Sequence, residues 1–185
     1  MKIVNIIFII FITLTSSIKA ELNTNLIKEL KDGNKLIFIR HAYAPGGGDP
    51  ENFSLNNCNT QRNLSKSGKK QAKSIGDFFI ENQIPFDEVY SSEWCRCKDT
   101  ASIAFKSFKT KSFLNSFFSK KFYNNKNEQI KDLKRFVKKS QNSKNIIFVT
   151  HYVVISEVLS YAPASGEIVI SDKQFNKIDN IKINY

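Results

Sequence analysis

The sequence predicts an α/β fold in which helices cover a mostly parallel β-sheet. Two apolar runs of strand length, Leu36–Ile39 and Ile146–Val149, are typical of strands that are buried on both faces. Segments with apolar residues at helical spacing lie between the strand-like runs, as in an alternating α/β order. The chain has 185 residues, of which 41% are hydrophobic and 24% charged, and this suits one globular domain with a single core.

The first 20 residues have the pattern of a secretory signal peptide. Lys2 supplies a positive start, Ile3–Leu14 is almost entirely apolar, and the segment closes on the small residue Ala20. An apolar run of about twelve residues is short for a membrane span, which needs roughly 20. We therefore expect cleavage after residue 20, one domain over residues 21–185, a periplasmic or secreted product and no stable membrane span. An uncleaved signal anchor is the alternative.

The elements follow in order along the rest of the chain. After the first strand, the glycine-rich Pro45–Pro50 segment is predicted to be a loop. Ser65 can cap a helix that runs to about Asn82, and Asp87–Tyr90 is a short strand. The later helices are predicted at Trp94 to about Phe105, Asn127 to about Lys139 and Tyr152–Ser160, and strands at Ile146–Val149, Glu167–Ile170 and Ile178–Ile183, the last two nearer an edge of the sheet.

The formal net charge of +11 does not by itself indicate a nucleic-acid partner. The excess comes from lysine, and a general drift in composition explains it as well as a binding surface does. Lysine clusters such as Lys69–Lys70 are typical of solvated faces, although they also attract anionic substrates. We expect no nucleic-acid partner.

The only two histidines of the chain each follow a predicted buried strand. His41 comes after the run that ends at Arg40, and His151 comes after the run that ends at Thr150. The carboxyl ends of parallel strands meet at one edge of a sheet, where ligands bind. The sequence therefore favours a paired role for the two imidazoles over two separate structural roles.

Three of the four arginines lie in segments that we place at the same edge. Arg40 precedes His41, Arg62 lies before the first long helix, and Arg96 follows the second predicted strand. The planar guanidinium group binds phosphate oxygens in a bidentate manner, which lysine cannot do. Two histidines among these arginines indicate a site for a phosphoryl group, while a surface ion pair is the alternative for Arg62.

Export would change the expected redox state of the three cysteines. In an oxidising compartment two of them can pair, and we hypothesise a Cys58–Cys95 disulfide because both residues flank segments placed at the site. Three buried free thiols are the alternative. One distant cysteine and a Cys95–Cys97 pair without clustered histidines do not make a zinc pattern, so no metal site is expected.

The ordered set of motifs resembles the histidine phosphatase superfamily, also called phosphoglycerate mutase-like. The resemblance spans roughly residues 36–159, and within the superfamily the chain is most similar to a group of exported bacterial phosphatases. The motifs that carry it are Arg40-His41-Ala42, the glycine loop Ala44 to Pro50, Cys58 to Ala72, Ser91-Ser92, Trp94 to Cys97 with Thr100-Ala101, Leu114 to Phe118, Thr150-His151 and Pro163 to Glu167. The family fold implies a three-layer sandwich with a mostly parallel central sheet flanked by helices.

The resemblance also implies a two-step phosphoryl transfer without a metal or another cofactor. His41 would attack phosphorus and form a phosphohistidine, which water would hydrolyse. Arg40, Arg96 and His151 would bind and stabilise the phosphoryl oxygens, with Arg62 as a further substrate-binding residue. A neutral imidazole is nucleophilic near neutral pH, and fixed cations stabilise the charge on the group in transfer.

The chain departs from the family at the proton donor. Many members carry a glutamate where this sequence reads Leu114-Asn115-Ser116, and an amide does not supply a proton. Either Asp49 or Glu93 acts as the general acid, or the enzyme favours good leaving groups such as acyl phosphates, phosphohistidine or aryl esters. The phenylalanine-rich Phe108–Phe122 stretch is expected to cover the core, with a pocket wall or a membrane-facing patch as alternatives.

The sequence is thus interpreted as a histidine phosphatase that acts on a phosphomonoester or a related phosphoryl compound. The expected partner is a small phosphorylated substrate, and relatives that are exported make an envelope sugar phosphate one example. A phosphate-binding or envelope interaction module that has lost catalysis is the alternative, because the glutamate is missing. A mutase is less favoured, since the short chain offers few insertions.

Overall fold

The computed structural model describes residues 24–141 and 143–183. The predicted signal peptide at residues 1–20 lies outside these residues. Within the described part of the chain, none of the helices has both the length and the apolar character that a bilayer crossing requires.

A six-stranded sheet forms the centre of the fold. Its strands are β1 (Leu36–Arg40), β2 (Phe86–Ser91), β3 (Lys109–Thr110), β4 (Asn145–Thr150), β5 (Ile168–Ser171) and β6 (Lys177–Ile181), in the spatial order β3-β2-β4-β1-β5-β6. The β3-β2-β4-β1 pairs are parallel, whereas β5 runs antiparallel to both β1 and β6. The predicted α/β class with a mostly parallel sheet is confirmed.

Helices cover both faces of this sheet, as the sequence predicts. They are α1 (residues 24–32), α2 (Lys66–Glu81), α3 (Cys95–Phe105), α4 (Lys120–Tyr123), α5 (Lys126–Lys139) and α6 (Tyr152–Leu159). The sequence analysis missed α1, α4 and β3. A two-residue strand and a four-residue helix are too short to show a period, and α1 buries only Leu26 and Leu30.

The alternation of side chains along the strands creates two separate cores. In β1, Ile37 and Ile39 join a cluster with residues of α1, α2 and α3, whereas Leu36 and Phe38 join the cluster of α5 and α6. Successive strand residues point to opposite faces, so continuous apolar runs are needed in a sheet that is covered twice. This explains why the runs noted in the sequence contain no polar residue.

The pairing of β1 with β4 places the functional motifs. The two strands are parallel and in register, with Arg40 opposite Thr150 at their carboxyl ends. The next residues are His41 and His151, and the backbone N–H of His41 donates to the carbonyl of Thr150 at 2.9 Å. The chain therefore leaves both strands at one edge of the sheet, side by side.

Helix α2 packs against the backbone just beyond His41, and a glycine permits this. Ser65 caps the helix by accepting a hydrogen bond from the Gly68 N–H at 3.0 Å. A Cβ at Gly68 would lie 2.0 Å from the carbonyl oxygen of Tyr43. Only a residue without a side chain allows the first turn of α2 to approach the turn after β1.

We expect Gly68→Ala to destabilise the protein by roughly 1–3 kcal/mol, because the new methyl group must displace backbone. Alanine favours a helix more than glycine does, so a net loss of stability would come from the close contact with Tyr43. Gly47→Ala is the matched control, since no atom lies within 4 Å of a Cβ at that position. Denaturant unfolding measures both changes, and equal stability of the two variants would contradict the prediction.

Candidate active site

The two histidines meet at the carboxyl edge of the sheet. The ring centroids of His41 and His151 lie 5.5 Å apart with the rings near perpendicular, and each residue is 2% exposed. The fold thus brings together the two imidazoles that the sequence analysis paired, although 110 positions separate them in the printed sequence. The pair lies at the base of a cavity of about 560 Å³.

The hydrogen bonds of His41 fix which ring nitrogen is free to react. Its Nδ1 lies 2.9 Å from the carbonyl oxygen of Ala42, and a carbonyl can only accept, so Nδ1 carries the proton. The Nε2 atom is then unprotonated and accepts a hydrogen bond from Nε of Arg96 at 3.3 Å. Burial, together with the positive charge of Arg96, holds the pKa of His41 well below its usual range. His41 is therefore a neutral imidazole, and its unprotonated Nε2 carries the lone pair that accepts the hydrogen bond from Arg96.

Polar groups at the end of β2 orient His151. Its Nε2 is hydrogen-bonded to Oγ of Ser92 at 2.9 Å, and Ser92 Oγ also lies 3.1 Å from Oδ1 of Asn115. The ring of Trp94 packs at its edge, with centroids 5.4 Å apart. Burial and the charge of Arg96 lower the pKa of His151 well below its usual range. The sequence analysis missed the contacts of Ser92 and Trp94 with His151, although both residues lie in the quoted motifs.

Arg96 is the central cation of the site. It is 3% exposed and donates from Nη1 and Nη2 to both carboxylate oxygens of Asp49, at 2.7 and 3.2 Å. Asp49 also accepts from Nε1 of Trp94 at 3.0 Å and from the backbone N–H of Arg62 at 3.0 Å. Burial opposes ionisation of Asp49, but these bonds and the Arg96 charge leave its pKa below the usual value. Asp49 is thus a paired carboxylate in this pocket.

Arg40 carries a buried donor that is not hydrogen-bonded among the described residues. Its Nη1 donates to the carbonyl of Pro163 at 2.8 Å, and its guanidinium lies over the ring of Tyr152 at 5.3 Å. Its Nε is buried and, within residues 24–141 and 143–183, has no hydrogen-bond partner. A buried unpaired donor is costly, so this atom marks a place where an anion would be stabilised.

The Pro163 loop that holds Arg40 is itself fixed by a buried carboxylate. Glu167 accepts from the backbone N–H of Ala164 and from the hydroxyl of Tyr161, both at 2.6 Å. Asn180 of β6 donates to it as well, at 2.6 Å. This segment is one of the motifs that resemble the family, but its sequence alone predicts no role for Glu167. A buried acidic residue with three donors is a signal that only the fold makes visible.

Arg62 supports the glycine loop. Its Nε donates to the carbonyl of Gly48 at 2.9 Å, and Nη1 donates to the carbonyl of Ala44. Gly48 has a φ of +71°, which lets the chain turn so that Asp49 enters the pocket. The Arg62 side chain also lines the cavity. The surface ion pair considered for Arg62 is not found among the described residues, because its bonds go to backbone carbonyls.

A disulfide joins Cys58 to Cys95, with Cα atoms 5.7 Å apart, and this is the pairing hypothesised from the sequence. It ties the loop before Arg62 to the first residue of α3, next to Arg96. Cys97 is a buried free thiol, and burial raises its pKa to about 12. Its Sγ lies 3.5 Å from Nε2 of His151. Such a thiol is protonated and unreactive at neutral pH.

The segment where a glutamate was expected is filled by an amide network. Asn115 donates from Nδ2 to Glu93 at 2.6 Å and accepts from the Glu93 backbone N–H at 2.9 Å. Glu93 is not among the residues that line the cavity, whereas Asp49 and Glu51 are. Within the described residues, no group of three or more histidine, cysteine or acidic side chains could hold a metal ion.

The phenylalanine-rich stretch has two roles. Phe117 packs into the core of α5 and α6, as the sequence analysis expected for this segment. Phe118 and Phe122 instead line the cavity, which was the alternative. The sequence alone could not assign them, because adjacent phenylalanines point in different directions only once the loop is folded.

The fold and the cluster of His41, His151, Arg40 and Arg96 agree with what sequence comparison finds. The family model of the histidine phosphatase superfamily (branch 1) matches residues 36–115. This stretch of the chain, which carries Arg40, His41 and Arg96, is thus similar to that superfamily. No curated protein sequence matches it.

Several solved structures share the fold. One is the phosphoglycerate mutase from Thermus thermophilus, with a TM-score of 0.56, 14% identity and coverage of 81% of this chain and 99% of that chain. Another is open reading frame Rv3214 from Mycobacterium tuberculosis, with a TM-score of 0.57, 15% identity and coverage of 81% and 96%. The protein histidine phosphatase SixA complexed with tungstate has a TM-score of 0.54, 12% identity and coverage of 82% and 94%.

We expect neither imidazole to be half protonated at pH 6.5, the ordinary midpoint of histidine. Burial and Arg96 disfavour the charged form, so both rings remain neutral at pH values below 6.5. The chain has two histidines, so proton NMR of tag-free protein follows each Hε1 signal against pH. Arg96→Met removes a nearby cation and should raise both midpoints, whereas Arg135→Met at an exposed site should not. A midpoint at or above 6.5 in the unaltered protein would contradict this.

Peptide mapping of unreduced protein by mass spectrometry should find Cys58 linked to Cys95 and Cys97 free. Because the bridge closes a loop of 37 positions, reduction or Cys58→Ser should cost ~3–4 kcal/mol of stability. Denaturant unfolding with and without reductant measures the cost. Reductant should have no further effect on Cys58→Ser, which is the control. Three free thiols in the native protein would rule the bridge out.

Proposed function

We propose that this protein is a phosphatase that hydrolyses a phosphomonoester or a related phosphoryl compound through a phosphohistidine on His41. One observation carries the proposal: the unprotonated Nε2 of a neutral His41 lies in one buried cluster with Arg96 and His151. The buried, unpaired Nε of Arg40 on the same cavity wall supports it. A nucleophile among fixed cations is the arrangement that phosphoryl transfer requires.

In the first step, Nε2 of His41 would attack phosphorus. The phosphorus–nitrogen bond forms while the bond from phosphorus to the leaving oxygen breaks, and the electron pair departs with that oxygen. The Nδ1 proton stays hydrogen-bonded to the carbonyl of Ala42, so the ring keeps its orientation through the step. In the second step, water would attack phosphorus and form a phosphorus–oxygen bond while the phosphorus–nitrogen bond breaks. The electron pair returns to Nε2 of His41, which is again neutral, and the protons of the water leave with inorganic phosphate.

The guanidinium groups of Arg96 and Arg40 would balance the negative charge of the phosphoryl group. Asp49 accepts from both Nη atoms of Arg96, so a phosphoryl group would meet Arg96 at Nε, the atom that donates to Nε2 of His41. Arg40 would contribute its Nε, and His151 would complete the pocket opposite His41. We propose that Arg62 acts mainly by holding the glycine loop, because its bonds to Gly48 and Ala44 fix the position of Asp49.

The proposed location is the periplasm or the exterior, on the basis of the signal-like residues 1–20. An oxidising compartment is consistent with the Cys58–Cys95 bridge. The proposed partner is a small phosphorylated molecule. No metal or other cofactor enters the proposed steps.

Purified protein should release para-nitrophenol from para-nitrophenyl phosphate, and His41→Asn should reduce the rate at least about a thousandfold. Asparagine keeps a polar side chain at this position but lacks the nucleophilic ring. Rapid quenching into base should trap protein-bound phosphate in the unaltered chain and none in His41→Asn.

The result also separates the alternatives. No turnover by either protein, with inorganic phosphate still bound, would favour a phosphate-binding module. Turnover that survives in His41→Asn would reject the proposed nucleophile. Arg135→Ala, an exposed arginine outside the cavity, is the control for nonspecific effects of substitution.

A further inference from the structure

The cavity above the two histidines has an aromatic wall as well as a cationic one. Six of its lining residues are aromatic, namely Tyr43, Phe53, Trp94, Phe118, Phe122 and Tyr152. Two of these rings are open to solvent: Phe118 is 57% exposed and Tyr43 is 40% exposed. Large exposed rings inside a cavity are a binding surface for an apolar part of a ligand.

Phe118 and Tyr152 place part of this wall next to the phosphoryl site. Their ring centroids are 5.9 Å apart, and Tyr152 directly follows His151 in the chain. The guanidinium of Arg40 lies over the ring of Tyr152, at 5.3 Å from its centroid. The group that is esterified to the phosphoryl oxygen would therefore lie directly against these aromatic rings.

Among the residues that the structure describes, the carboxylates that line this pocket are Asp49 and Glu51, and neither is a buried, unpaired acid. The amide of Asn115 occupies the expected position, and it is engaged by Glu93 and Ser92. Asp49 is ionised against Arg96, with its pKa below the usual value. Glu51 lies at the exposed rim of the cavity.

The aromatic wall and the lack of a buried, unpaired acid favour the same kind of leaving group. Without a proton donor, the leaving oxygen must depart as an anion, and a phenol with a pKa near 10 does so far more readily than an aliphatic alcohol. A phenol also supplies the flat ring that stacks on Phe118 and Tyr152. A sugar alcohol has neither a low pKa nor an aromatic face.

We propose that this site is specific for aryl phosphomonoesters, with the leaving phenol bound against Phe118 and Tyr152. The proposal rests on the proposed phosphatase function and narrows it. The bond from phosphorus to Nε2 of His41 forms, the phosphorus–aryl oxygen bond breaks, and the electron pair leaves on the phenolate. The phenolate takes a proton from water after it has left the phosphoryl group.

The test measures kcat/KM for a series of substituted phenyl phosphates whose phenols differ in pKa. Glucose 6-phosphate represents alkyl esters, and acetyl phosphate represents a good leaving group without a ring. We expect kcat/KM to fall on the order of fivefold for each unit by which the phenol pKa rises, because no acid offsets the charge. Glucose 6-phosphate should be at least about a hundredfold poorer than phenyl phosphate.

The aromatic wall is tested by Phe118→Ala. Loss of one stacking ring should lower the ratio of the aryl to the acetyl phosphate kcat/KM by roughly tenfold. Tyr123→Ala is the matched control, since Tyr123 is an aromatic residue with 58% exposure that does not line the cavity. This variant should leave the ratio unchanged.

Two further variants test the carboxylates that line the cavity. Asp49→Asn and Glu51→Gln should not change the dependence of kcat/KM on the phenol pKa. If either variant steepens that dependence, the residue is a proton donor and the proposal is wrong. The proposal would also be overturned if glucose 6-phosphate is turned over as well as phenyl phosphate. The same holds if Phe118→Ala has the same ratio of aryl to acetyl phosphate kcat/KM as the unaltered protein.

Failure of this proposal is distinguishable from failure of the proposed function. No turnover of aryl or acetyl phosphates, or turnover retained in His41→Asn, rejects the phosphatase and this inference with it. Turnover that depends on His41 but varies little with the phenol pKa rejects only the aryl specificity.

Discussion

The parallel pairing of β1 with β4 is the constraint on which the site depends. Because Arg40 lies opposite Thr150, the next residues of the two strands, His41 and His151, leave the sheet at the same height. Their rings lie 5.5 Å apart as a direct result. A shift of one residue in this register would send one imidazole to the opposite face and exchange side chains between the two cores. The register that packs the two cores therefore also aligns the histidines.

The site is held from outside by elements that do not touch the reacting atoms. The Cys58–Cys95 bridge ties the loop before Arg62 to α3, Arg62 holds the glycine loop, and Glu167 holds the loop of Pro163. Each support fixes a backbone segment that carries or contacts a cation. In the proposed phosphatase, cations that are already in position would stabilise the phosphoryl group without a cost of reorganisation.

Asp49 shows how a residue type can mislead before its surroundings are known. As a lone carboxylate on a glycine loop it is a reasonable acid, but the bidentate contact with Arg96 keeps it ionised in the free site. Glu93 likewise faces Asn115 rather than the cavity. The environment sets the pKa and the direction of a side chain, and neither is written in local sequence.

The amino-acid sequence by itself determined the α/β class, most helices and strands, and the residues that meet at the sheet edge. These follow from local rules: apolar runs form buried strands, periodic segments form helices, and parallel strands end together. Tertiary structure alone decided that Arg96 is paired with Asp49, that Nδ1 of His41 carries the proton, and that Phe118 is exposed while Phe117 is buried. These properties depend on distances between groups far apart in the chain, which no local pattern encodes.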